Sequence, residues 1–131
     1  MDKQQLGWKN LGEISGENGV NVMKEVQDFS PRFAKLALEF GYVDLYSDNS
    51  LDLKQRALIT LSSLISQGEQ GTDLTFHYRV ALRAGVSKNE ILELINHCSG
   101  YAGFPKAMTA LFVFKDTYQV FIEENPTYAE E

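Results

Sequence analysis

What this chain has little of narrows its class quickly. It holds one cysteine, so no intrachain disulfide can form, which fits a reducing compartment. Only three prolines interrupt its 131 residues, leaving room for long helices. No apolar run reaches the ~20 residues of a membrane span, so no membrane association is expected. The opening MDKQQLGWKN lacks the apolar core of a secretion signal, and a cytoplasmic protein is expected. Positive charge is scarce as well. Twelve Lys and Arg against 18 Asp and Glu give a net charge of −6 and a pI near 4.9. That balance argues against nucleic acid as a partner, since its binders present a basic face. A small anionic ligand stays possible, because a few local arginines can outweigh the global balance. Internal repeats, low-complexity tracts and alternating strand patterns are all missing.

What remains is helix after helix, and the fold class expected is all-α. Residues 1–131 should form a single domain, long enough for one core. Leu6, Leu11 and Ile14 with Trp8 mark a short helix over 3–14, which GENGVN (16–21) is expected to break. Val22, Val26 and Phe29 suggest another turn or two. Ser30-Pro31 is a helix start, with serine as cap and proline at the first helical position. Phe33, Leu36, Ala37 and Phe40 follow as a helical stripe, while 41–49 reads either as its extension or as a loop. Ser50 is expected to cap a helix running to about Gln67. Helices over 72–84, 87–102 and 104–124 complete six to seven in all.

The stretch from Asp73 to Pro105 concentrates the chemistry. It contains both histidines, the cysteine and one of the prolines. Gly85 ends its first helix, and Ser87-Lys88-Asn89-Glu90 is a capping box opening the second. Asp73 and His77 are four apart on the first helix, and His97 and Tyr101 four apart on the second. Residues so spaced are stacked neighbours on a helix face. A pocket lined by the two helices is therefore expected. A carboxylate beside an imidazole can fix its tautomer and raise its basicity, suiting His77 to move a proton near neutral pH. Two histidines twenty residues apart without a third ligand make a poor zinc site, and no metal or cofactor is expected. Arg56, Arg79, Arg83 and Lys106 are the cations available to hold a carboxylate. Cys98 shares the apolar stripe of Ile91, Leu94 and Ile95 and reads as a buried packing residue.

Helices 51–67 and 104–124 are apolar around most of their circumference. A chain of this size struggles to bury both, and large exposed apolar patches mark interfaces. A homo-oligomer is expected.

Three runs, LDLKQRALITLSSLISQG, HYRVALRAGVSKNEILELINH and YAGFPKAMTAL, carry a resemblance to the carboxymuconolactone decarboxylase family. The match covers roughly residues 50 to 115. It implies an alkyl hydroperoxidase D-like helical bundle assembled as a trimer or hexamer. It also implies a cofactor-free lyase or proton-transfer enzyme acting on a small organic acid or lactone. On this resemblance His77 and Asp73 are the catalytic candidates, and His97, Tyr101, Arg56 and Arg79 the substrate-binding ones. One departure stands out: the family's decarboxylases usually carry glutamate where this chain has Asp73, one methylene shorter. A non-catalytic, oligomeric small-molecule-binding protein of the same fold is the competing class.

The thiol-reductase branch of the superfamily carries a Cys-x-x-Cys pair at about the positions of Gln70 and Asp73. Neither is cysteine here, so the dithiol for disulfide exchange is missing. The protein should therefore not turn over peroxide with a dithiol donor, and Cys98→Ser should fold and assemble normally. Thiol-dependent turnover by wild type that disappears in the serine variant would make Cys98 a redox centre instead.

Overall fold

A computed structural model of the protein describes residues 1–129. Among these residues the secondary structure is entirely helical, as the sequence predicts. It forms two compact units, Met1–Asp52 and a second beginning at Leu53. No helix among the described residues is long and apolar enough to cross a membrane.

The first unit opens with α1 (Lys3–Phe29). Asp2 and Gln5 form a capping box: the Gln5 N–H donates to Asp2 Oδ1 at 2.8 Å, and the Asp2 N–H donates to Gln5 Oε1 at 2.9 Å. The break expected over 16–21 contracts to one residue. Gly16 leaves helical geometry at φ 74°, ψ −168°, and the helix resumes at once. Glycine tolerates this positive φ, so the kink needs no longer loop.

Ser30 is extended, and its Oγ accepts the Phe33 N–H at 3.3 Å to start α2 (Pro31–Leu36). The ambiguous stretch after it proves helical. It widens into a π-helical segment, Ala37–Asp44, where Leu45 N–H reaches back five residues to Phe40 O at 3.0 Å. α1 packs against both α2 and the π segment, and Asn10 Nδ2 donates to Tyr42 O at 2.8 Å across that contact.

The second unit holds α3 (Leu53–Ser66), α4 (Thr72–Arg83), α5 (Lys88–Tyr101) and α6 (Phe104–Glu124), then a 3₁₀ turn, Pro126–Tyr128. α3 starts three residues beyond Ser50, whose N–H donates to Asp48 Oδ1 at 2.7 Å in the preceding turn. The capping box at α5 is present as read, with Ser87 Oγ accepting the Glu90 N–H at 3.0 Å. The core comprises Leu61, Ile65, Leu74, Tyr78, Ile91 and Phe114, all essentially buried.

Helix order in space differs from order along the chain. α3 packs against both α4 and α5, and so does α6. α4 and α5 diverge from the turn that joins them and make at most marginal contact. The cause lies in the two broadly apolar helices, which bury most surface by taking the places between the amphipathic pair. α4 and α5, the two helices expected to line a pocket together, therefore lie apart, and the groove at His97 is walled by α3 and α5.

Close approach sets one clear test. A Cβ added at Gly7 would lie 2.8 Å from Leu38 O and 2.9 Å from Leu38 Cβ, inside any tolerable contact. Gly7→Ala should lower stability by about 1–3 kcal/mol, read as a drop in the urea midpoint of the first unit. At Gly12 the nearest atom is Val20 Cγ2 at 3.7 Å, so Gly12→Ala should be neutral or gain up to about 1 kcal/mol.

Candidate functional site

α4 positions the first candidate pair. Gly71, at φ 79°, precedes the helix, and Asp73 falls in its exposed first turn, where a carboxylate suits the positive end of the helix dipole. Tyr78 is fully buried, its Oη donating to Ala110 O at 2.8 Å and its ring 4.9 Å from Phe114. His77, one residue earlier, is turned about 100° from that buried direction and is half-buried. Phe76 meets its imidazole edge-on at 5.1 Å.

Two opposed effects act on His77. Desolvation by burial lowers its pKa, and the charge of Asp73 raises it, with burial the larger. The net direction is down. Asp73 does raise basicity, as the sequence suggests, but it does not win. Among the described residues no hydrogen bond joins the two, so the coupling is through charge.

Arg79 is committed elsewhere. Its Nη2 lies 2.6 Å from Glu124 Oε2, and its guanidinium sits 5.5 Å from the Phe121 ring centroid. Two positions from His77 on a helix means about 200° of rotation, so the two side chains leave α4 on opposite sides. Arg56 is half-buried in the first turn of α3, and its carbonyl accepts Thr60 Oγ1 at 2.9 Å.

The second pair lies on a different surface. His97 and Tyr101 stack with centroids 5.1 Å apart, and Tyr101 is 85% exposed. His97 lines a groove of about 740 Å³ between α3 and α5. Leu58, Ile59, Leu94 and Cys98 give it apolar walls, Ser62, Ser63 and Ser66 run along the α3 side, and Glu90 and Glu93 close the α5 side. No α4 residue lines it, so His77 and His97 do not share this cavity. Cys98 is buried as expected, with Sγ 3.8 Å from Ser62 Oγ. The serines were the missed signal. Three hydroxyls on one flank of α3 mark a polar groove wall. Among the described residues no three His, Cys, Asp or Glu side chains converge as a metal centre would need.

The carboxymuconolactone decarboxylase family profile matches residues 31–116, most of the chain. The chain belongs to the carboxymuconolactone decarboxylase family. All six candidate residues, from Arg56 to Tyr101, fall within the matched span. Two curated relatives are named decarboxylases. The 4-carboxymuconolactone decarboxylase of Acinetobacter baylyi is 32% identical over 108 residues, covering 82% of this chain and 80% of its own. The nitrosuccinic acid decarboxylase of Metarhizium robertsii is 29% identical over 119 residues, covering 90% and 82%. An uncharacterized 15.0 kDa protein of Paracoccus denitrificans is 30% identical over 103 residues, covering 78% and 77%. Membership of this decarboxylase family thus rests on similarity spread along the chain, not on one motif.

The burial of His77 has a consequence for stability. Its folded pKa lies below the ordinary 6.5, so the unfolded chain binds more protons near that pH. Its stabilising contribution is complete above 6.5 and is lost as pH falls from there through the folded pKa. Urea midpoints measured between about pH 7 and pH 5 should therefore decline for wild type. His77→Gln should flatten that decline, and an unchanged slope would show the imidazole to be solvated.

Proposed function

We propose that this protein is a cofactor-free lyase, or a related proton-transfer enzyme, acting on a small organic acid or lactone. His77 moves the proton and Asp73 supplies the charge that holds the imidazolium. The observation that carries this reading is the half-buried imidazole, pulled down in pKa by desolvation and up by a carboxylate one helical turn away. Family membership and the two relatives named decarboxylases support it.

The chemistry is balanced simply. A carboxylate loses CO₂ when the C–C bond breaks, and its electron pair stays on the remaining carbon. A neighbouring electron-withdrawing group, such as a lactone carbonyl or a nitro group, spreads that charge. One proton must then reach carbon. Imidazolium in a desolvated setting is a stronger acid than in water and relaxes to its favoured neutral form on giving the proton up. Asp73 lowers the cost of charging the ring beforehand, and solvent returns the proton. Arg56 and Arg79 are the candidates to hold a substrate carboxylate, and Arg79 would do so by exchanging its pairing with Glu124. His97, with Tyr101 stacked on it, belongs to the separate α3–α5 groove and is not assigned to a substrate reacting at His77.

That groove also favours a second reading, a binding protein without chemistry. Its volume is typical of small-molecule sites, and it does not include His77.

The test is a panel of small lactones, nitro acids and keto acids, following CO₂ release and deuterium incorporation by NMR. His77→Ala should reduce turnover by about 10²–10⁴-fold, the usual weight of a general acid–base group. Asp73→Asn should reduce it less, and should move the His77 limb of the pH–rate profile to lower pH by removing a charge that favours imidazolium. Asp73→Glu, restoring the residue usual in the family's decarboxylases, should hold or raise activity. Deuterium entering carbon as readily in His77→Ala as in wild type would remove this histidine from the mechanism. Ligand binding without exchange in either protein would favour the second reading.

A further inference from the structure

The α3–α5 groove is polar in different ways at its two ends, and the chemistry at His77 uses neither. Two contacts set the register of its walls. Lys54 Nζ lies 3.8 Å from Glu90 Oε1, and Cys98 Sγ lies 3.8 Å from Ser62 Oγ. Residue numbers rise together from one contact to the next, so α3 and α5 run parallel. Glu90 and Glu93 therefore stand where both helices begin, and Ser63, Ser66 and His97 stand towards the other end. The two carboxylates are not equivalent. Glu90 Oε1 accepts the Ser87 N–H at 2.8 Å in the α5 cap and faces Lys54, so it is committed. Glu93 is exposed and joins no ion pair among the described residues; the Asn96 amide approaches it at 3.4 Å. No lysine or arginine among the described residues lines the groove. Lys106 donates to the Ser66 carbonyl at 3.1 Å, at the end away from Glu93.

We propose that the α3–α5 groove binds a small amphipathic organic cation, with its ammonium at Glu93 and its apolar body over Leu58, Ile59 and Leu94. Each part of that ligand answers a feature of the groove. An ammonium gains from a carboxylate that has no cationic partner, and an anion is repelled by it. An apolar body covers Ile59, 54% exposed, together with the half-buried Leu58 and Leu94. The serine hydroxyls further along can bond a ring N–H or a hydroxyl of the ligand. Ser63 Oγ already accepts Gln67 Nε2 at 3.0 Å, which leaves its own O–H to donate. A groove of about 740 Å³ is the size of small-molecule sites. The organic acids proposed for His77 carry the wrong charge for this groove. The chain thus holds two sites for ligands of opposite sign, and this one stands whether or not His77 moves a proton.

Three probes of one shape and different charge test this on the full chain: tryptamine, neutral tryptophol and anionic indole-3-propionate. Methyl NMR spectra locate the binding, and titration gives its strength. Tryptamine should shift the methyl signals of Leu58, Ile59 and Leu94. At low salt it should bind on the order of tenfold tighter than indole-3-propionate, with tryptophol between. Glu93→Gln, a change at an exposed position, should remove most of the advantage of tryptamine over tryptophol and leave tryptophol unchanged. Raising the salt should shrink the same advantage in wild type, with no variant needed. Ile59→Ser should weaken tryptamine and tryptophol alike. An anion that binds as tightly as the cation, methyl shifts away from the groove, or a preference that survives Glu93→Gln would each overturn the proposal. So would no binding of any probe, the result if a second copy covers the groove.

Discussion

The hydroxyl of Tyr78 fixes the rotation of α4, and the candidate chemistry follows from that rotation. A phenol buried this deeply needs a partner for its O–H, and Ala110 O on α6 supplies it at 2.8 Å. Burial also pushes the phenol pKa well above its ordinary value, so it stays a neutral donor. With Tyr78 locked inward, helical geometry carries Leu74 and Ala81 into the core and leaves His77 on its margin. Half-burial of the imidazole is thus a by-product of packing a neighbour, not of any contact specific to the histidine.

Placement on the margin lets two modest effects compete. Deeper in the core, desolvation would hold the ring neutral. Further out, Asp73 would act through water and do little. On the margin, burial wins while the carboxylate still counts. Arg79 shows the opposite economy on the other side of the same helix. Glu124 stands at the C-terminal end of α6, where the helix dipole disfavours an anion, and the arginine offsets that placement. The pair ties α4 to the end of α6 and withdraws the cation from α4's other face.

Helix neighbours were decided by apolar area. α3 and α6 carry more apolar surface than a single contact can cover, so each packs on both α4 and α5 as well as on the other, and the amphipathic pair is pushed apart. The excess on α6 is not fully absorbed even so. Phe104, Met108 and Phe112 remain outside, and the first unit leaves Phe29 and Phe33 outside in turn.

The sequence by itself determined the helical class, most helix boundaries and the family. Those are local properties, set by apolar periodicity, by caps such as Ser87 with Glu90, and by stops such as Gly85. The adjacency of Asp73 to His77, and of His97 to Tyr101, was equally legible, because residues four apart on one helix must be neighbours. Only the tertiary structure decided which helices meet. It put the His97 groove between α3 and α5, away from α4, and showed Ser62, Ser63 and Ser66 as a wall. It also set the sign of the His77 shift, since desolvation depends on what covers a side chain. It committed Arg79 to Glu124, 45 residues on, a pairing that no local pattern encodes. Periodicity reports which face of a helix is apolar; it does not report which of several apolar faces will lie against it.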